Sequence, residues 1–214
     1  NVMFLNITCA PEGQLAVGCE GREDSLNILI PRALDDGFAM TGSFSCMSLM
    51  TMLIFDTASD EQKKAWVDEI AAMGREVVSR EEEIAAYLAG DFNRVTYLGS
   101  GSFTGLSQES QLKILELAHR QYDLDILNEI AGDKIAQKTI AIQQDAGTLF
   151  EGESFTFKGF EALPEGYLAL PFIMVAQTVA LLNSVRVGNT PDTPSPTGTV
   201  NRVVKGVTIH PLEA

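Results

Sequence analysis

Apolar and polar positions alternate between short runs and long stripes along this chain. Val2 to Thr8, VMFLNIT, is a short apolar run without helical period, closed by polar residues, and predicts a buried strand. Pro11 opens a short helix, since proline is tolerated in a first turn. Leu26 to Ile30 predicts a second strand, stopped by Pro31. From Ser43 to Phe55 the sequence is apolar on most sides, as in a buried helix. From Ser59 to Ala89 the period changes. Ser59-x-x-Gln62 matches a capping box, and Trp66, Ile70, Met73, Val77, Ile84 and Leu88 form an approximate stripe. This predicts a long amphipathic helix, bent or broken near Gly74 or Ser79. Glu81 to Glu83 read as its solvated face.

Beyond Gly90-Asp91 the pattern restarts. Arg94 to Leu98 predicts a strand, the turn Gly99-Ser100-Gly101-Ser102 follows, and a helix runs to about Ala118. A helix over Gln121–Ile130, a strand over Lys138–Gln143, an edge strand or strand pair over Ser154–Phe160 and a long apolar helix over Glu165–Val187 complete the order. Strands alternating with helices predict an α/β fold with parallel sheets. The expected division falls near Phe92, giving segments 1–92 and 93–214. The apolar stretch Tyr167–Leu182 carries Pro171 and Gln177 and falls short of the about 20 residues a membrane span needs, so it reads as a core helix.

Composition narrows the class. With 214 residues, 45% of them hydrophobic, the chain is ordinary globular material. A net charge of -14 disfavours nucleic acid and anionic membrane as partners, because both are polyanions. The three cysteines, Cys9, Cys19 and Cys46, form no C-x-x-C pair and read as free thiols of a reducing, cytoplasmic compartment. With His119 and His210 as its only histidines, the chain offers no metal-ligand pattern, and no cofactor is expected.

The candidate chemistry centres on RVTYLGSGSFTGLSQESQLKILELA. Glycines after a strand let the backbone approach a ligand, and the free N–H groups of the next helix attract anions. The same turn equally serves to join strand to helix, and it lacks the last glycine of a dinucleotide fingerprint. Lys113 and Glu116 stand three residues apart on one helix face, where a carboxylate beside an ammonium can shuttle protons. Glu109 and Lys113, at spacing four, equally spell an ordinary salt bridge.

LGSGSFTGLSQESQLKILELA, RQYDLDILNEI and GNTPDTPSPTGTVNRVVKGVTIHP resemble the second sugar-isomerase domain and tail of the galactosamine-6-phosphate deaminase/isomerase family, also called tagatose-6-phosphate ketose/aldose isomerases. LNITCAPEGQLA and GFAMTGSFSCMSLMTMLIF resemble the later part of that family's first such domain. The resemblance implies parallel-sheet sugar-isomerase domains flanked by helices, flavodoxin-like, in a double architecture whose first domain is only partly present. Asn1 opens directly in a strand pattern, so preceding sequence is expected to be missing. So is a segment near 118–120, where the family carries an H-G-P motif; His119 is not equated with that histidine.

The implied activity is aldose–ketose isomerisation of a sugar phosphate, with galactosamine 6-phosphate yielding tagatose 6-phosphate and ammonia. The alternative is a non-catalytic sugar-phosphate sensor. The isomerase domain of glucosamine-6-phosphate synthase has A-L-K-L-K-E where this chain has Leu112, Lys113 and Glu116, which implies Glu116 as the proton-transfer base and Lys113 as its partner. The tail match implies that Lys205 closes over the open-chain sugar, although read alone it is a solvated charge. Ala39–Ser43 match the sugar-lining stretch, so Thr41 and Ser43 are expected substrate contacts or helix caps, and Ser100 a contact in the glycine-rich turn. Subunits of such isomerases complete each other's sites, which implies a homodimer or larger homo-oligomer.

Overall fold

The computed structural model describes residues 2–92, 94–118, 138–144, 153–157 and 163–195, with the side chains of residues 115–118 excepted. In chain order the elements are strand β1 (Phe4–Thr8), helix α1 (Gln14–Gly18), β2 (Ser25–Leu29), α2 (Gly42–Phe55), α3 (Asp60–Ser79), α4 (Glu81–Tyr87), α5 (Thr104–Ala118), β3 (Ile140–Gln144), β4 (Glu153–Phe157) and α6 (Glu165–Arg186). Single 3-10 turns at Pro31–Ala33 and Gly101–Phe103 lead toward α2 and into α5.

The described strands pair in parallel, β1 with β2 and β3 with β4. Asn6 stands opposite Asn27 in the first ladder, and the side chains bond at 2.9 Å. Asn27 also donates to the Ala16 carbonyl at 3.1 Å, tying α1 to the sheet. In the second ladder Gln143 faces Thr156 and donates to its hydroxyl at 3.2 Å.

The main core lies where α3 and α4 meet β4 and α6. Ile70, Met73, Val77, Ile84, Phe155, Phe157, Tyr167 and Leu170 are buried together there. The expected apolar stripe supplies four of these residues, so the periodicity of 59–89 translates directly into packing. This core joins elements from both sides of residue 92. At the α3–α6 crossing a Cβ on Gly74 would lie 2.8 Å from the Met174 thioether, so glycine lets that side chain in. Tyr167 stacks beside Trp66 at 4.9 Å and donates to Asp56 at 3.0 Å, fixing the α2–α3 turn on α6. By length and composition α6 is apolar enough to cross a membrane, but half of its most apolar window is buried in the fold, and it packs as a core helix.

The capping box of α3 is present in part, with the Gln62 N–H donating to the Ser59 hydroxyl at 3.3 Å. The long helix breaks at Arg80, which closes α3 and opens α4. That is one residue past the expected Ser79, and Gly74 stays helical.

One expected element differs. Residues 94–98 form no strand. Their sides alternate as in a strand, and Val95 and Tyr97 pack against Ile114 and Ala180, but no neighbouring described strand supplies a ladder. Apolar alternation sets which sides are buried; a strand also needs a paired backbone. The expected helix at 121–130 lies outside the described residues, as do all but Ala118 of the residues near 118–120 where a missing segment is expected.

Candidate functional site

The site forms where the N-terminus of α2 meets α5 and α6. The first N–H groups of a helix lack intrahelical acceptors and carry a partial positive charge. In α2 they are satisfied from upstream. Asp35 Oδ1 accepts from the Gly42 N–H at 2.9 Å, and Oδ2 accepts from the Ser43 N–H at 2.9 Å and the Ser43 hydroxyl at 2.6 Å. The Thr41 hydroxyl also donates to Oδ1, at 3.3 Å. Asp35 thus caps the helix from outside the usual N-cap position, and neither Thr41 nor Ser43 caps it by its own side chain. Ser43 is buried and committed to Asp35, whereas Thr41 is half-buried and lines a cavity.

Burial alone raises the pKa of Asp35, but hydrogen bonds from Ser43, Gly42 and Thr41 outweigh it, and the net shift is below the ordinary 3.8. A carboxyl depressed in the folded state contributes stability that is complete above its unfolded pKa and is lost as pH falls through the folded value. Asp35→Ala should therefore cost about 1–2 kcal/mol at neutral pH, the usual loss for a helix cap. The gap from wild type should narrow as pH is lowered through and below about 3.9. Urea unfolding at a series of pH values reads both effects, and a gap independent of pH would contradict the ionic cap.

Lys113 projects from α5 onto the segment just before this cap. Its side chain is 3% exposed, and its Nζ donates to the Met40 carbonyl at 3.1 Å and lies 3.1 Å from Glu109 Oε1. The Glu109–Lys113 spacing is thus a salt bridge, but a buried one. A buried ammonium requires such partners, because its desolvation is otherwise prohibitive. The structure therefore brings Lys113, Thr41 and Ser43 into one neighbourhood, joined through Met40 and Asp35.

Ser100 stands apart. It precedes the turn into α5, is exposed, and lies nine residues of helix, or about 14 Å, and one 3-10 turn away from Lys113. The turn itself is tight. A Cβ on Gly99 would fall 2.2 Å from the Phe103 carbonyl oxygen, and Gly101 has a φ of +57°, so both positions need glycine. Glu116 lies on the last turn of α5, one turn beyond Lys113; its side chain and all of Lys205 are outside the described residues.

Three residues of this neighbourhood escaped the sequence reading. Asp35 acts across seven residues of loop, a spacing that no local capping rule detects. Gln177 and Asp192 line a cavity beside Thr41. Gln177 was read as a polar interruption of a core helix, and Asp192 lies inside the quoted tail pattern without a role.

No protein-family model matches the chain. Over 98% of its length the chain is 32% identical to the D-galactosamine-6-phosphate deaminase AgaS of Escherichia coli O157:H7, of which it spans 65%. It is 30% identical over 97% of its length to the same-named protein of Shewanella sp. strain ANA-3, of which it spans 60%. The chain thus spans less than two thirds of these relatives. The match to the first runs over 251 aligned positions, more than the 214 residues here, so that relative carries residues inside the matched span that have no counterpart in this chain. Among solved structures, tagatose-6-phosphate ketose/aldose isomerase from Escherichia coli superposes with a TM-score of 0.79 at 28% identity, covering 99% of this chain and 65% of that one. A Clostridium novyi NT protein provisionally assigned the same activity gives 0.83 at 31% identity, covering 98% and 64%. Sequence and fold agree: over nearly its whole length the chain is similar to proteins named D-galactosamine-6-phosphate deaminase and tagatose-6-phosphate ketose/aldose isomerase, and it shares their α/β fold.

Proposed function

We propose that the full-length protein is an aldose–ketose isomerase that converts galactosamine 6-phosphate into tagatose 6-phosphate and ammonia. The names of its relatives supply the substrate class. The observation that carries the reading in this chain is Lys113, a buried ammonium fixed at the Met40 carbonyl beside the Thr41 cavity.

In the proposed reaction Glu116 removes the proton from C2 of the open-chain amino aldehyde. The electron pair forms the C1–C2 double bond of an enolamine while the C1 carbonyl oxygen takes a proton. Return of a proton to C1 gives the C2 imine. Water adds to it, ammonia leaves, and the C2 ketone remains. Lys113 steadies the negative charge that develops on the C1 oxygen, where a fixed cation needs no reorganisation. Lys205 encloses the sugar and Thr41 supplies a further contact, while Ser43, held by Asp35, orders the start of α2 beside it, and Ser100, apart from this neighbourhood, takes no contact. Three free thiols fit a reducing compartment and hence a cytoplasmic protein. Assembly as a homo-oligomer is part of the same reading.

Incubation of the full-length protein with galactosamine 6-phosphate should release one ammonia and one tagatose 6-phosphate per substrate consumed, at a turnover of about 1–1000 per second. Saturable binding without either product would instead identify a sugar-phosphate sensor.

A further inference from the structure

A cavity of about 220 Å³ opens between the start of α2, the middle of α6 and the turn at Pro191–Asp192. Its wall begins at Ala39 and Thr41, the residues on either side of Met40, whose carbonyl holds Lys113. The cavity and the buried ammonium therefore share one short segment of backbone.

The polar groups of the wall have a definite character. Thr41 spends its hydroxyl proton on Asp35, and Thr178 spends its own on the Met174 carbonyl at 2.9 Å. Both oxygens keep lone pairs for a ligand's donors. Gln177 also lines the cavity, and its Nε2 is buried without a hydrogen-bond partner among the described residues. Such a donor needs an acceptor such as a sugar oxygen. Asp192 is the one charged residue of the lining among the described residues and stands at its exposed rim. Among the described residues no lysine or arginine lines the cavity, and this part of the wall suits a ligand portion rich in donors and positively charged.

We infer that this cavity is the subsite for the ammonium-bearing end of the amino sugar, and that Asp192 is the carboxylate that distinguishes an amino from a hydroxyl substituent. The inference rests on the sugar-phosphate reading above and adds a specificity determinant to it. The position of the carboxylate is set by its neighbour. Asp192 Oδ1 rests against Gly37, where a Cβ would lie 2.7 Å away. A side chain at residue 37 therefore displaces the carboxylate while keeping its charge.

The test compares 2-amino-2-deoxygalactitol 6-phosphate with galactitol 6-phosphate, reduced sugars that lack the reacting C1 carbonyl and differ only in the substituent on C2, by calorimetric titration of the full-length protein. Wild type should bind the amino sugar more tightly. In Asp192→Asn the affinity ratio of amino to hydroxyl sugar should fall about fivefold, the scale of a charge-assisted contact at an exposed rim. In Gly37→Ala it should fall by a smaller factor in the same direction. An unchanged ratio in the folded variants overturns the inference; if Asp192→Asn does not fold, Gly37→Ala decides alone. Equal wild-type affinity for both sugars overturns the inference and leaves the isomerase reading standing. Binding of neither sugar removes both.

Discussion

Glu116→Gln in the full-length protein should lower kcat for galactosamine 6-phosphate about 1000-fold, within the range typical of a lost general base. KM should stay within about threefold, because the amide keeps the shape and much of the hydrogen-bonding capacity of the acid. This pattern marks a residue whose contribution is made in the transition state and not in substrate binding. The position supports it. α5 carries Lys113 one turn earlier, and that lysine is held from two directions, by Glu109 at 3.1 Å and by the Met40 carbonyl at 3.1 Å. A fixed cation gives proton transfer a fixed electrostatic frame. Solvent exchange separates a chemical from a structural role. In deuterium oxide the wild type should wash deuterium into the sugar carbon that gains the proton, and the variant should not. A thermal midpoint unchanged in the variant would complete the picture. Wild-type turnover in Glu116→Gln would end the assignment.

Legibility from sequence tracked how local the determining interaction is. β1 and β2 are short apolar runs closed by polar residues or proline, and both form within two residues of expectation. The apolar stripe is local to α3 and α4, and its Ile70, Met73, Val77 and Ile84 are buried in the main core as read. Residues 94–98 carried an equally good strand pattern, but pairing depends on a second segment of backbone that the pattern does not contain. The same distinction runs through the site. Lys113 and Glu109 were recognisable from their spacing as a pair, but the approach of Met40 from seventy-three residues away, where Lys113 is 3% exposed, was not. Ser43 looked free for a polyol because Asp35, which takes its proton, precedes it in an irregular loop. Asp192 and Gln177 meet across a turn and a helix, and nothing in their separate surroundings announces a shared cavity. The glycine-rich turn was legible as a turn, since Gly99 and Gly101 answer to backbone geometry alone.

The largest stability effect is expected at Arg80, the residue at which the long helix breaks. Its Nε and Nη2 donate to the two oxygens of Glu83, each at 2.8 Å, and its Nη1 donates to Glu76 at 2.6 Å and to the Thr156 carbonyl at 2.9 Å. The guanidinium lies 3.8 Å from the ring centre of Phe155, which is fully buried. Tyr87 completes the joint, its one hydroxyl proton shared between Glu83 at 2.7 Å and the Ser154 carbonyl at 3.2 Å. One side chain thus ends α3, starts α4 and attaches both to β4, where the main core is packed. Arg80→Met keeps much of the apolar stem but leaves Glu76 and Glu83 facing each other and the Thr156 carbonyl without its donor. Breaking a buried charge pair on one side costs about 3–5 kcal/mol, and with the arginine 24% exposed the lower end applies, about 3 kcal/mol. In a chain of this size that corresponds to a fall in Tm of about 6–12 °C. Arg80→Lys should recover only part of the loss, since an ammonium cannot bind both Glu83 oxygens in one plane while reaching Glu76 and Thr156. Urea unfolding should show a lower midpoint at an unchanged slope, as for a loss of native contacts. A decrease below about 0.5 kcal/mol for Arg80→Met would mean that the joint is a surface ion pair of the usual small value. The break between α3 and α4 would then owe its position to the helix sequence alone.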